Sequence, residues 1–261
     1  MRKNIITLIL TAVLITVLLS GCTGTASGDV IAEEKNFFGF TRLDIGSAFE
    51  VEVTRSDTFS VIISADESLY DYIEVSQTGD TLKIYLEPHH IFTDFTVGEK
   101  TLKAEIAIPV LYGLELSGAC KGTVSGFRSP NDFSLIVSGA STLSELEIEA
   151  GNVDFEISGA SSVSGNLTAI GVEFEISGAS KVELTGSADD IILGVSGAST
   201  AELGDFPLDN VNVNLSGFSS ATVNVRGRLD TTLSGASSLY FEGNPTMGYT
   251  DVSGASTIKH K

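Results

Sequence analysis

Carboxylates are the side chains of this sequence whose type and spacing could do chemistry. Asp154 and Glu156 alternate along one segment, and Glu173 and Glu175 repeat that spacing one unit later. Side chains two residues apart share one face of a β-strand, and strands of neighbouring units lie about 4.8 Å apart. Four carboxylates held in this way could bind Ca²⁺ or act as acid and base on a polysaccharide.

Other reactive side chains are isolated in the sequence. His89 and His90 adjoin Pro88 and lie far from His260, so a zinc site would need distant segments to meet. No His partner is evident for Cys120, which we expect to be buried and unreactive. No Lys or Arg lies within the carboxylate-bearing strands to act as the base of a lyase. We therefore predict no catalytic site; Ca²⁺ is the one cofactor that the sequence leaves open.

A repeated tetrapeptide sets the positions of these carboxylates. Six copies read Ser-Gly-Ala-Ser, one ends in Cys120, and one has Phe218 in the third place. The copies begin at Ser117, Ser138, Ser158, Ser177, Ser196, Ser216, Ser234 and Ser253. Units of 18 to 21 residues result, which is the period of a solenoid.

The residues before each copy alternate between apolar and polar. The residue immediately before the tetrapeptide (position −1) is apolar in all eight units, and position −3 is apolar in six. This period of two predicts β-strands with one face buried. Because the spacing drifts between 18 and 21 residues, we expect an all-β, single-stranded right-handed parallel β-helix with coils of about 19 to 20 residues, rather than a left-handed hexapeptide helix.

The tetrapeptide itself predicts a sharp corner. Glycine can adopt a positive φ there, the Ala is expected to point into the crowded corner, and the Ser hydroxyls can bond the neighbouring backbone. Phe218 is too large for that role, so we expect a local bulge or a side chain turned outward. The structural glycines of this repeat are Gly118, Gly139, Gly159, Gly178, Gly197, Gly217, Gly235 and Gly254.

The chain divides into four segments. Residues 1–21 combine two basic residues with an apolar run and predict a signal peptide, and residues 22–35 predict a flexible tether. Residues 36–261 form the β-helix, with irregular coils over 36–112 and repeat coils over 113–261. The run Leu19-Ser20-Gly21-Cys22 resembles a lipobox, so Cys22 is the predicted lipid-attachment residue; an uncleaved membrane anchor is the alternative.

The net charge and the predicted location limit which classes of partner the protein can bind. The chain carries a formal charge of −19, which becomes −21 when residues 1–21 are removed. Such a surface repels nucleic acid and anionic lipid. We expect an acidic, membrane-anchored lipoprotein of the cell envelope or surface, with its membrane contact made by the N-terminal lipid. The sequence does not indicate an oligomeric state.

Several segments together resemble a known family. They are Leu43–Val51, Val61–Asp66, Thr81–Ile84 and the tetrapeptide series. In this combination the chain is similar to the putative auto-transporter adhesin, head GIN domain family, over about residues 36–261, although the Gly-Ile-Asn element is not evident at residues 46–49. The resemblance implies a right-handed β-helix without recognisable catalytic residues, a secreted or lipid-anchored location, and a role in adhesion.

Three functions remain open at this point. The leading hypothesis is a non-catalytic adhesion or surface-binding module for a carbohydrate or another cell-surface ligand. The second is a polysaccharide-active enzyme of the pectin-lyase type that would use Asp154, Glu156, Glu173 and Glu175. The third is a structural envelope protein that self-associates through the last coil, near Val252 to Ile258.

Overall fold

The computed structural model describes residues 29–87 and 100–261. The predicted signal peptide, Cys22, His89 and His90 lie outside the described residues. Strands make up 67% of the structure, and stacked coils of about 19 residues form a β-solenoid of about eight turns. The predicted fold class is therefore confirmed. None of the helices among residues 29–87 and 100–261 is long and apolar enough to cross a membrane.

Residues 29–87 and 100–261 form twenty strands and one short helix. In chain order they are β1 (Val30–Glu34), β2 (Arg42–Ile45), β3 (Glu50–Arg55), β4 (Ser60–Asp66), α1 (Glu67–Tyr70), β5 (Ile73–Thr78), β6 (Thr81–Leu86), β7 (Leu102–Ile108), β8 (Gly113–Leu116), β9 (Lys121–Arg128), β10 (Phe133–Val137), β11 (Thr142–Glu149), β12 (Asn152–Ile157), β13 (Ser162–Thr168), β14 (Gly171–Ile176), β15 (Lys181–Val195), β16 (Thr200–Leu215), β17 (Ser220–Leu233), β18 (Ser238–Gly243), β19 (Thr246–Val252) and β20 (Thr257–His260).

Each coil contributes one strand to each of two stacks, and the tetrapeptide corner connects the two strands. The stack that precedes the corners is called face A: β6, β2, β8, β10, β12, β14, the second halves of β15, β16 and β17, and β19. The stack that follows them is called face B: β7, β3, β9, β11, β13, the first halves of β15, β16 and β17, β18 and β20. Neighbours within each of these stacks are parallel, as a solenoid requires.

The apolar rows predicted from the sequence fill the interior. At position −1, seven of the eight residues are at most 2% exposed; they are Leu116, Val137, Ile157, Ile176, Val195, Leu215 and Leu233. The eighth, Val252, is 43% exposed because it belongs to the last coil. At position −3, Phe155 and Phe174 stack with ring centroids 4.9 Å apart. Burial of one such side chain contributes about 1.5 to 3 kcal/mol, so the repeated rows account for most of the driving force.

The corners stack by backbone hydrogen bonds. All eight tetrapeptide glycines have φ between 70° and 80°. The N–H of the following residue donates to the glycine carbonyl of the preceding coil at 2.7–2.8 Å, from Ala140 through to Ala255. A Cβ on Gly159 would come within 3.0 Å of the Gly139 nitrogen and closer still to its carbonyl oxygen. Glycine is therefore required twice, for its φ and for the close approach of the next coil.

One prediction about the corner was wrong. The Ala of each repeat does not point inward: Ala119, Ala140 and Ala160 are exposed, whereas the fourth residue is buried. In some corners this hydroxyl reaches the backbone; Ser199, for example, accepts a bond from the Ser180 N–H at 3.2 Å. Among the described residues, the hydroxyls of Ser161, Ser180 and Ser219 are buried without a hydrogen-bond partner. Two small residues in succession differ too little in size for the sequence to show which one faces the core. The outward turn of Phe218, which is 79% exposed, follows from the same geometry and confirms that prediction.

The first half of the chain caps the solenoid rather than simply beginning it. β2 and β3 lie between two coils, because β6 and β7 pair with their outer edges while β8 and β9 pair with their inner edges. Beyond that layer, β4 runs antiparallel to β7, β1 antiparallel to β4, and β5 antiparallel to β6. The single helical turn α1 follows β4 directly. Residues 46–49 form the first corner of the stack, with Ser47 and Ala48 at φ of 65° and 67°.

We predict that Gly159→Ala lowers the free energy of unfolding by at least about 3 kcal/mol. The substitution combines an unfavourable φ, which costs about 1 to 2 kcal/mol, with overlap against the Gly139 backbone. Urea unfolding followed by circular dichroism measures the loss. Gly39→Ala is the matched control, because Gly39 has φ +75° and an added Cβ would meet nothing within 4 Å. Equal losses in the two variants would contradict the stacking argument.

Candidate functional site

A groove runs along the outer side of face A. Three adjoining depressions of about 310, 310 and 230 Å³ follow one another from β6 and β2 to β16. The first and second share Ser134 and Ile136, and the second and third share Glu156 and Glu175. Eight strands cross beneath them, so the groove is about 34 Å long at ordinary strand spacing.

The predicted carboxylates form the middle of this groove. Asp154 is in register with Glu173, and Glu156 with Glu175, as the repeat predicted. All four are exposed. Within residues 29–87 and 100–261, no three His, Cys, Asp or Glu side chains converge in a way that could hold a metal ion. The pairs therefore present a row of hydrogen-bond acceptors, and a metal site at these residues stays a prediction.

The end of the groove near the cap holds a cluster that sequence reasoning missed. Asp44, only 7% exposed, lies on β2 between β6 and β8. Lys83 Nζ donates to Asp44 Oδ2 at 2.9 Å, and the Tyr85 hydroxyl donates a short bond to Asp44 Oδ1. These contacts balance the charge of a carboxylate that would otherwise be costly to bury.

Charge repulsion and burial act on Glu115, the neighbour of this cluster on β8. Burial raises the pKa of Glu115, and the charge of Asp44, its partner in register, raises it further; Lys83 lowers it, and Glu156 adds a smaller increase. Burial and the bond to Asp44 likewise raise the pKa of Tyr85 well above its usual range, which keeps its hydroxyl a donor. This end of the groove therefore offers both a cation and acceptors, while the middle offers acceptors alone.

No local sequence signal could have revealed the cluster. Lys83 is 39 residues from Asp44, and the two meet because β6 adds to the outer edge of β2. A period-two pattern shows which residues face outward but not which strands are neighbours. The carboxylate pairs were predictable because the repeat itself fixes their register.

Two further reactive side chains that the structure describes, Cys120 and His260, do not join the groove. Cys120 is fully buried, burial raises the pKa of its thiol, and its Sγ lies 3.2 Å from the Ser117 carbonyl oxygen. The prediction of a buried thiol is thus confirmed. His260 packs beside Phe241 with ring centroids 4.9 Å apart, and its Nε2 lies 2.8 Å from the Gly243 carbonyl oxygen. Neither residue is placed to act on a ligand in the groove.

We predict that Glu115→Gln raises the Tm at pH 7 by about 1 to 3 °C. The folded-state pKa of Glu115 lies above its unfolded value of about 4.3, so its ionisation disfavours the folded state at neutral pH. The gain should shrink as the pH falls through the folded pKa and vanish below about pH 4. Thermal unfolding from pH 3 to 8 measures it, and Glu147→Gln on face B controls for the change in net charge. A gain that is constant with pH would contradict this explanation.

Solved structures similar to this chain share its fold. A protein from Parabacteroides merdae described as a putative adhesin aligns with a TM-score of 0.81 at 15% identity, over 90% of this chain and 97% of its own. A putative adhesin from Parabacteroides distasonis gives 0.79 at 15% identity, covering 90% and 98%. A second P. distasonis protein, described as a putative lipid binding protein, gives 0.77 at 17% identity, covering 90% and 97%. None of the curated proteins compared with the chain matches it.

The family comparison covers most of the solenoid. The model of the family "Putative auto-transporter adhesin, head GIN domain" matches residues 39–245, from the first buried residues of the cap to the start of the last coil. This range includes the whole groove on face A. The chain therefore belongs to the putative auto-transporter adhesin, head GIN domain family.

Proposed function

We propose that this chain is a non-catalytic, extracytoplasmic binding module that holds a carbohydrate or a similar hydroxyl-rich surface ligand in the groove on face A. The observation that carries the proposal is the run of adjoining depressions across eight strands, with the carboxylates of β12 repeated on β14 at the strand spacing. A repetitive ligand would meet Asp154 and Glu156 on one coil, and Glu173 and Glu175 at the same positions on the next. Membership of an adhesin family agrees with binding at a surface.

The chemistry of the groove favours hydroxyl-rich ligands. Carboxylates and the Asn214 amide accept hydrogen bonds from hydroxyls, and the amide also donates. Ile136 lines the groove and Ile192, on the same face, is 53% exposed, so apolar surface lies beside the acceptors. Sugars present both hydroxyl groups and C–H surface. The formal charge of −19 makes a strongly anionic ligand unfavourable.

The two carboxylate pairs are the proposed binding sites for calcium. Asp154 with Glu173, and Glu156 with Glu175, place like charges on neighbouring strands. Repulsion between two such charges at about 5 Å is roughly 0.8 kcal/mol in water. A Ca²⁺ ion shared between a pair and ligand hydroxyls would relieve that repulsion and complete an oxygen coordination shell. Binding should then weaken when calcium is removed.

A glycan array tests the groove directly. The full chain in detergent is expected to bind a class of neutral glycans, and Glu175→Gln should reduce that binding at least tenfold because a central acceptor is lost. Glu147→Gln, which removes one exposed carboxylate from face B, should bind normally. Parallel arrays with calcium and with chelator test the proposed ion.

Three outcomes of the array experiment would contradict the proposal. If Glu175→Gln and Glu147→Gln lost binding equally, the loss would come from the change in net charge and not from the groove. Silence with and without calcium would contradict the carbohydrate ligand. Release of shortened glycan by the unmodified chain, lost in Glu175→Gln, would support the polysaccharide-active enzyme in place of the binding module.

We propose further that a lipid on Cys22 tethers the module to a membrane. Cys22 precedes β1 by only eight residues, so the cap would lie nearest the membrane and the last coil farthest from it. Cys22→Ala should move the protein from the membrane fraction to the soluble fraction after cell lysis, and should abolish labelling by a radioactive fatty acid. Unchanged membrane association without label would indicate an uncleaved anchor instead.

A further inference from the structure

We propose that two copies of this chain associate end to end through their last coils, with the edge strands β19 and β20 of each copy pairing antiparallel with those of the other. The contact is distinct from the groove on face A. It concerns the open end of the solenoid, where β19 pairs on one side with β17, and β20 on one side with β18. The outer edges of both strands keep their backbone groups free for a second copy.

The last coil has a core side with nothing stacked on it. Met247, Val252 and Ile258 are in register with Leu229, Leu233 and Leu239, which are at most 1% exposed. In the last coil Met247 and Val252 are 44% and 43% exposed, and Ile258 is partly exposed. These residues keep the apolar character of the rows they continue. Another coil placed against them would bury them as the preceding coils are buried.

The net charge of the last coils favours a second copy of the same end as the binding partner. Residues 217–261 carry four basic residues and three acidic ones, for a formal charge of +1, whereas residues 1–216 carry −20. The basic residues are Arg226, Arg228, Lys259 and Lys261, and the acidic ones are Asp230, Glu242 and Asp251. At this end two copies of the chain can approach without strong repulsion between acidic surfaces.

The terminal lysines do not block the edge. Lys259 and Lys261 Nζ lie 5.9 and 5.5 Å from the centroid of the Tyr240 ring, so both side chains fold back over the preceding coil. The opposite end of the solenoid is protected in a different way. There β4 and β5 run antiparallel to the coil strands, β1 pairs antiparallel with β4, and α1 adds cover. The outermost strand β1 carries Glu33 and Glu34. A twofold, tail-to-tail contact therefore fits better than a head-to-tail filament.

The small end surface predicts a weak contact. Two strands of seven and four residues bury well under about 1,000 Å² in total, which is the lower range of specific interfaces. Many copies on one surface would strengthen it by avidity. If the proposed anchoring at Cys22 holds, the last coils project away from the membrane, and copies on two facing membranes would meet through them.

Sedimentation of the full chain in detergent tests the contact. The mean mass should rise with concentration and level off at two copies. Val252→Asp should weaken association at least tenfold, and Ile258→Asp on β20 should do the same. Ile170→Asp adds the same charge at a site that is 61% exposed and lies between β13 and β14, so it should leave association unchanged. Far-UV circular dichroism checks that each variant is folded.

Each contrary outcome is specific. A monomer at all concentrations up to about 1 mM overturns the proposal, as does growth beyond two copies, which would show head-to-tail association. Equal weakening by Ile170→Asp would show an effect of charge alone.

Liposomes that carry the full chain should aggregate unless Val252 is substituted. Dimers in detergent without liposome aggregation would overturn the contact between facing membranes. Glycan binding is not involved, so the two proposals fail independently.

Discussion

The corner at each tetrapeptide is the constraint on which the rest of the structure depends. Its glycine carbonyl accepts a hydrogen bond from the corner above at 2.7–2.8 Å, and no side chain larger than hydrogen fits between them. Each bond contributes only about 1 kcal/mol, but the bonds fix where one coil lies on the next. Because that register is fixed, the residue at position −1 falls on its equivalent in every coil. The buried rows and the groove on face A follow from the same alignment.

The features that could be predicted from the sequence are those that the repeat places in register. Rows at positions −1 and −3, the buried Cys120, the outward Phe218 and the pairing of Asp154 with Glu173 all depend on a register that the tetrapeptide shows directly. The inward residue of the corner was assigned wrongly, since Ala and Ser are both small. Size does not distinguish them; only the turn of the backbone does.

Where the tetrapeptide is absent, the sequence was less informative. Nothing in the sequence shows that β6 and β7 lie outside β2 and β3. That arrangement reverses chain order in space and brings Lys83 and Tyr85 to Asp44. The groove also depends on it, because its first depression is lined by residues of β2, β6, β8 and β10. The family match covers this region without assigning a role to these residues.

Amide hydrogen exchange with and without a bound neutral glycan tests the central claim, that the groove on face A is the binding surface. The account predicts slower exchange on binding in β10, β12 and β14, which cross beneath the carboxylate pairs. Face B strands such as β11 and β13 should exchange at the same rate in both states. Slower exchange confined to face B or to the last coil would contradict the account, because the ligand would then bind outside the groove.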